Sequence, residues 1–249
     1  DAVEEINTLV NNGFKEIVLT GIHTGSYPDL VKLIKEISKN DKLERIRISS
    51  IEATEIDDEF LEELKNNKKI CNHMHIPVQA ACDNTLKKMN RKYDMNKFIS
   101  IINKIREVRP DINITTDLIV GFPTENEEDF LESYNNACKI KFGKIHVFPY
   151  SKRDGTVAAK MKSVLSDSEK KERTHKMIEL SNKLENEYYN NFLGKILNVL
   201  VEEVFDDHST GHTDNYIKVI INSKLEHNKD YNVKIIKVDG INVYGEVIK

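Results

Sequence analysis

Hydrophobic positions along this chain recur with two different periods, and the changes between them mark its elements. Val3, Ile6, Leu9 and Val10 sit at helical spacing, and the Asn12-Gly13 pair that follows is a good helix stop. Residues 16–20 then read as a short buried strand, 28–38 as a helix, 45–51 as a strand alternating charge with isoleucine, and 55–66 as an acidic helix. The alternation continues with a strand at 73–78, helices at 83–90 and 94–108, and a β-branched strand at 113–120 broken by Gly121-Phe122-Pro123. A helix at 125–140 and a strand at 144–148 complete it. Strands that alternate with helices must run parallel, because tight turns cannot join parallel neighbours. Five strands are too few to close an eight-stranded barrel, so the pattern predicts an open, barrel-like parallel sheet.

After a long charged helix over 166–192 and a break at Gly194, the period drops to two. Runs at 196–204, 216–221, 231–238 and 241–247 are separated by turn residues and predict a small all-β barrel. The expected organisation is therefore α/β over 1–192, followed by a β-module over 193–249.

Composition adds exclusions. Of the 249 residues 39% are hydrophobic and 31% charged, with a net charge of −4. This suits a folded globular chain without a bilayer-spanning segment whose basic footprint, if any, is local, and the scattered cysteines point to a reducing compartment, expected to be the cytoplasm. The start at Asp1, inside a helical pattern and without methionine, reads as that of a fragment. Cys71, Cys82 and Cys138 are too few and too scattered for a disulfide framework or a cluster of converging thiolates, so no metal ligands are assigned.

Ligands of parallel sheets bind outside the carboxyl ends of the strands. Polar and small residues collect at each such end: Thr20 and Gly21 after the first strand, Ser49 and Glu52 after the second, and His75 and Gln79 at the third. Asp117 and the Gly121-Phe122-Pro123 turn belong to the fourth, and His146 and Tyr150 to the fifth. No nucleophilic triad emerges, and no catalytic side chain is assigned. His73 and His75 share one side of a strand and read as a core-facing edge, while Glu125, Glu127 and Glu128 read as macrodipole partners of a helix start.

Six runs occur in an order and spacing that resemble the radical S-adenosylmethionine methylthiotransferases. They are Thr20 to Tyr27 (TGIHTGSY), Arg47 to Glu52 (RISSIE), His73 to Gln79 (HMHIPVQ), Met89-Asn90-Arg91, Thr115 to Pro123 (TTDLIVGFP) and His146 to Ser151 (HVFPYS). The resemblance implies a partial TIM-like barrel of the radical S-adenosylmethionine type and a TRAM-like β-barrel. It further implies S-adenosylmethionine with two [4Fe–4S] clusters as cofactors, and tRNA as the partner, met at the anticodon stem-loop with no stable protein partner. Thr20 and Gly21 would lie at the methionine end, Ser49, Glu52 and Gln79 at methionine or ribose, and residues 121–123 behind the adenine. The run 21–27 is most like the branch that methylthiolates threonylcarbamoyladenosine in tRNA, and Arg153 resembles the tRNA-acting members rather than those that modify a ribosomal protein. The family's C-x-x-x-C-x-x-C motif is missing, so the chain alone is expected to be inactive. Ala80-Ala81, Pro28 and Thr124 also depart from the family pattern. Lys152 and Arg153, then Asn215, Tyr216 and Lys218, are the candidate RNA contacts. A non-catalytic RNA-binding remnant, or a relative modifying a ribosomal protein, are the alternative readings.

Overall fold

The structure, a computed structural model, describes residues 1–21 and 24–248. Ile22 and His23 of the expected first loop lie outside the described residues. Helices and strands follow in the order α1 (Ala2–Asn11), β1 (Glu16–Leu19), α2 (Leu30–Ile37), β2 (Arg45–Ile48), α3 (Asp58–Asn66) and β3 (His73–His75). Next come α4 (Asp83–Lys88), α5 (Met95–Val108), β4 (Asn113–Val120), α6 (Glu127–Ile140), β5 (Lys144–Pro149) and α7 (Asp167–Asn190). The chain closes with β6 (Ile196–Val204), β7 (Ser209–Thr213), β8 (Lys218–Ile221), β9 (Asp230–Asp239) and β10 (Asn242–Val247).

β1 pairs with β2, and β3 with β4 and β4 with β5, all in parallel. Between the two groups Ile46 N–H donates to Lys69 O (2.7 Å) and Ile51 N–H to His75 O (3.1 Å), so the five strands follow one another in chain order. This is the open, barrel-like parallel sheet that the alternation predicts and the partial TIM-like barrel that the resemblance implies. Period two divides its faces. Ile46, Ile48, Met74, Ile76, Ile114, Leu118 and Ile145 point outward and are buried beneath the helices with Phe98 and Phe142. Glu16, Val18, Arg47, Ser49, His73, His75, Thr115, Lys144 and His146 line the concave side.

An open sheet needs its edges managed. The free edge of β5 is covered by α7: Ile145 N–H donates to Ser181 Oγ (3.0 Å), and the same hydroxyl donates to Ile145 O (2.9 Å). One serine on a helix thus stands in for a missing neighbouring strand.

β6 to β10 close into a barrel in the order β10-β8-β7-β6-β9, around Val199, Val219, Ile221, Val233, Ile235 and Val243. β7 was not expected: its sequence, Ser-Thr-Gly-His-Thr, has no apolar alternation to announce it. Gly211 is required there, since a Cβ would stand 2.0 Å from Leu200 O on the neighbouring strand. The expected strand at 216–221 begins only at Lys218, because Tyr216 turns the chain at φ +63°.

Candidate functional site

The small barrel is clamped onto the sheet by side chains from the amino ends of the strands. Buried Arg45 donates to His212 O (2.9 Å), Asn198 Oδ1 (2.6 Å) and Asp230 Oδ1 (2.9 Å). Buried Arg47 binds Glu16 through Nε (2.6 Å) and donates to Asp214 O (3.2 Å) and Thr213 O (3.3 Å). Asn113 Nδ2 donates to Asn215 O (2.8 Å). Desolvating two guanidinium groups is tolerable only where carboxylates and carbonyls replace the lost water, and this clamp supplies both.

Between the concave face and the barrel lies a chamber of about 970 Å³. The Tyr216 ring is sandwiched in it between His73 (centroids 4.8 Å apart) and His212 (4.7 Å), with the Arg47 guanidinium 4.6 Å from its centroid. His73 is therefore no core-facing edge; it faces this chamber. Its Nε2 meets Thr115 Oγ1 at 3.0 Å, while burial, reinforced by Arg47, lowers its pKa to about 3 and keeps it neutral. His75 shares the Thr115 hydroxyl through Nδ1 (3.0 Å) and reaches Asp117 with Nε2 (3.4 Å). Although burial works against the Asp117 carboxylate, the His75 hydrogen bond prevails and lowers its pKa. His146 opens onto the same wall, its ring centroid 5.6 Å from that of His75, and desolvation followed by the His75 charge lowers its pKa.

Ser49, His75 and His146 thus share one wall, with Asp117 paired behind His75. Gln79 lies just past them at φ +62°, and exchanges backbone hydrogen bonds with Asp117 O (2.9 Å) and Ile119 N (2.8 Å). Glu52 is turned aside toward Arg91 (3.0 Å), in a separate shallow recess with Ser26, Thr54 and Asn90. Thr20 and Gly21 are exposed. Beyond β4, Gly121 takes φ +77° and donates its N–H to Glu125 Oε1 (3.1 Å). Phe122 is buried edge-on against Tyr150, whose hydroxyl is buried without a hydrogen-bond partner among the described residues, and Pro123 is buried beside it.

Glu125 has a role that its sequence position hid. It precedes α6, which Asn126 caps, and is buried against Arg173 (3.2 Å), so it ties the β4 turn to α7. Burial, its largest influence, raises its pKa. Arg45, Arg47 and Lys144 were also missed as chamber or clamp residues. The signal was there in the Arg-Ile-Arg-Ile alternation, which places both arginines opposite the apolar face.

Among the RNA candidates, Lys152 and Arg153 are exposed after β5, and Lys218 is exposed but paired with Glu203 (3.0 Å). Tyr216 is 45% exposed. Asn215 is a correction. It is 1% exposed, and its amide is used on Tyr188 Oη (3.1 Å) because the turn it occupies is pressed against the sheet, so it faces no solvent-borne ligand.

The cysteines do not fit a cluster. Cys71 and Cys82 are buried, and desolvation pushes both thiols up to about 12; Cys82 lies 3.3 Å from Asp129 Oδ1. Among the described residues no group of three or more His, Cys, Asp or Glu side chains converges to hold a metal ion. No helix of the described residues is long and apolar enough to cross a membrane.

Residues 1–137 match the Radical SAM superfamily. The threonylcarbamoyladenosine tRNA methylthiotransferase MtaB of Bacillus subtilis is 42% identical over 96% of this chain and 54% of its own length. The tRNA-2-methylthio-N(6)-dimethylallyladenosine synthase of Thermoanaerobacter sp. (strain X514) is 38% identical over all of this chain and 55% of its own. The chain therefore spans about half the length of these curated relatives. Among solved structures, the radical SAM coproporphyrinogen III oxidase HemN of Escherichia coli superposes with a TM-score of 0.59 at 19% identity, covering 73% of this chain and 44% of that one. That likeness is one of fold.

Proposed function

Since this chain belongs to the radical SAM superfamily, we propose that it is the larger part of a tRNA methylthiotransferase, and that the base modified is threonylcarbamoyladenosine beside the anticodon. The observation that carries this reading is the 42% identity to the B. subtilis enzyme over nearly the whole chain, across both the sheet and the β-barrel. The rim at the carboxyl ends of the strands supports it, since it offers what a sulfonium nucleoside needs. Ser49 and Gln79 supply neutral donors and acceptors, and the His75–Asp117 pair places negative charge near the wall. Phe122 and Tyr150 give an apolar backing beside an unpaired hydroxyl. Thr20, Gly21, Gly121, Pro123 and His146 complete the proposed S-adenosylmethionine surround, and Glu52, held by Arg91 in its own recess, stands outside it.

S-adenosylmethionine bound there would supply the radical that activates the target carbon, while this chain orients it and limits water. Iron–sulfur ligation does not fit the three cysteines present, and in this reading it comes from outside the segment. The β6–β10 barrel is proposed as a TRAM-like RNA module, with Tyr216, Lys218, Lys152 and Arg153 as contacts, in a cytoplasmic protein.

Nucleoside mass spectrometry on tRNA from a strain deleted for the gene tests the reading. Loss of 2-methylthio-threonylcarbamoyladenosine is expected; its persistence overturns the assignment, and loss of the isopentenyl derivative instead moves the substrate to the other branch. Complementation with the full-length gene should restore the nucleoside. Complementation with Gln79→Asn, which tolerates the same left-handed backbone, should restore it poorly if Gln79 touches the cofactor.

A further inference from the structure

Residues 84–106 contain seven lysines and arginines against one acid, Asp94, in a chain whose net charge is −4. The fold gathers most of this charge into one hairpin. Two residues after α4, Asn90 takes the left-handed region (φ +59°) and the chain doubles back into α5, so Lys87, Arg91, Lys92 and Lys97 line one shallow groove between the two helices. The turn is anchored from below: Tyr93 Oη donates to Pro77 O (3.2 Å) and Val78 O (3.1 Å), and Arg91 holds Glu52 (3.0 Å). These anchors place the hairpin over the exits of β2 and β3, on the same rim as Ser49 and His75.

Lys87, Lys88, Lys92 and Lys97 are exposed, and none has a carboxylate partner among the described residues; Lys92 reaches only Asn90 Oδ1 (3.1 Å). The two acids in the groove are already engaged with backbone, Asp83 with Met95 N–H (2.7 Å) and Asp94 with Lys97 N–H (2.8 Å). On the α2 side of the sheet, by contrast, Lys35 and Lys39 each hold a carboxylate. Unpaired like charges held together by a rigid turn repel one another, and a polyanion relieves that repulsion.

We infer that the α4–α5 hairpin is a second RNA-backbone contact, which grips phosphates beside the rim independently of the β-barrel and without reading sequence. Lysine ammonium groups on flexible stems suit phosphate neutralisation, and the groove offers no exposed aromatic on which a base could stack. A membrane surface is the poorer partner, since Tyr93 and Met95 are buried and the hairpin has no apolar face to insert. The inference rests on the tRNA reading above.

The test is binding of this chain to a fluorescein-labelled anticodon stem-loop RNA between about 50 and 200 mM potassium chloride. Lys87→Glu/Lys92→Glu/Lys97→Glu should weaken binding about tenfold or more at the lower salt, and should reduce the slope of log affinity against log salt by roughly 2. Lys35→Glu/Lys39→Glu/Lys42→Glu, on the α2 side, should match the wild type. Glutamine at the same three groove positions should also lower the slope, which covers the case in which the glutamates unfold the chain. Unchanged slope and affinity in both groove variants overturn the inference and leave the tRNA reading standing. A wild-type chain with no salt-dependent RNA affinity removes both. Groove variants that lose only adsorption to phosphatidylserine vesicles would assign the patch to membranes and also overturn it.

Discussion

At the scale of single residues, His73 shows how far surroundings can displace a side chain from its solution behaviour. It is 6% exposed, wedged between Tyr216 and Thr115, with Arg47 nearby, and its pKa falls to about 3. An unfolded chain takes up that proton near pH 6.5, whereas the folded one does not until about pH 3. The unfolded state thus binds more protons in this window, and acid destabilises the fold. Stability should fall by about 1.4 kcal/mol per pH unit below pH 6.5 for this one group. Urea unfolding at a series of pH values checks it, and His73→Asn should show a slope smaller by one proton. An unaltered slope would mean that the ring is accessible to water and titrates normally. His146, also lowered, adds acid sensitivity of the same sign.

At the scale of elements, the decisive piece is the contact between α7 and β5. A parallel sheet that stops at five strands leaves a row of unpaired amides and carbonyls, and a long charged helix is an unpromising cover for it. The cover works through Ser181, whose hydroxyl both accepts from and donates to Ile145. Ser181→Ala should leave that pair of backbone groups buried and unsatisfied, at a cost of about 1–3 kcal/mol. Amide hydrogen exchange at Ile145 should accelerate, while exchange at Ile114, inside the sheet, stays slow. Equal acceleration at both would show global loosening rather than a local edge effect. The same helix carries Arg173, whose ion pair with Glu125 holds the turn after β4, so α7 fixes both the edge of the sheet and part of its rim.

For the whole molecule, the question is what holds the β-barrel against the sheet. Arg45, Arg47 and Asn113 reach from the sheet into the backbone of residues 212–215, while Lys15 and Arg45 share Asp230. Tyr189 from α7 and Phe192 just after it join the barrel core, while the sheet itself meets the barrel through these charged and polar side chains, so charge removal should loosen that contact. In Arg45→Met/Arg47→Met, amides of residues 212–217 should exchange faster while those of Val199, Val219 and Val233 in the barrel core keep their protection. Small-angle scattering should report a larger radius of gyration. Unchanged scattering and exchange would place the cohesion elsewhere, most directly in the Tyr188 contacts with Asp111 and Asn215. Because Tyr216 belongs to the clamped turn, the docked barrel also sets the floor of the chamber.

Periodicity alone was enough for the alternating strands and helices, for parallel pairing and for the small β-module, because each follows from which face of an element must leave water. It also placed polar residues at the strand exits, since the carboxyl ends of parallel strands are where loops gather. It could not announce β7, whose Ser-Thr-Gly-His-Thr run becomes a strand only through its neighbours on both sides. Nor could it separate Asn215, buried in a contact with the sheet, from Tyr216 one residue later and 45% exposed. In the sequence Glu125 is one of three acids at a helix start, and only Arg173, far along the chain, makes it a buried counter-charge. Local pattern fixes what a residue must do within its own element. Whether a polar side chain faces a ligand, a neighbouring module or a buried counter-charge depends on contacts between segments distant in sequence, and those exist only once the chain has folded.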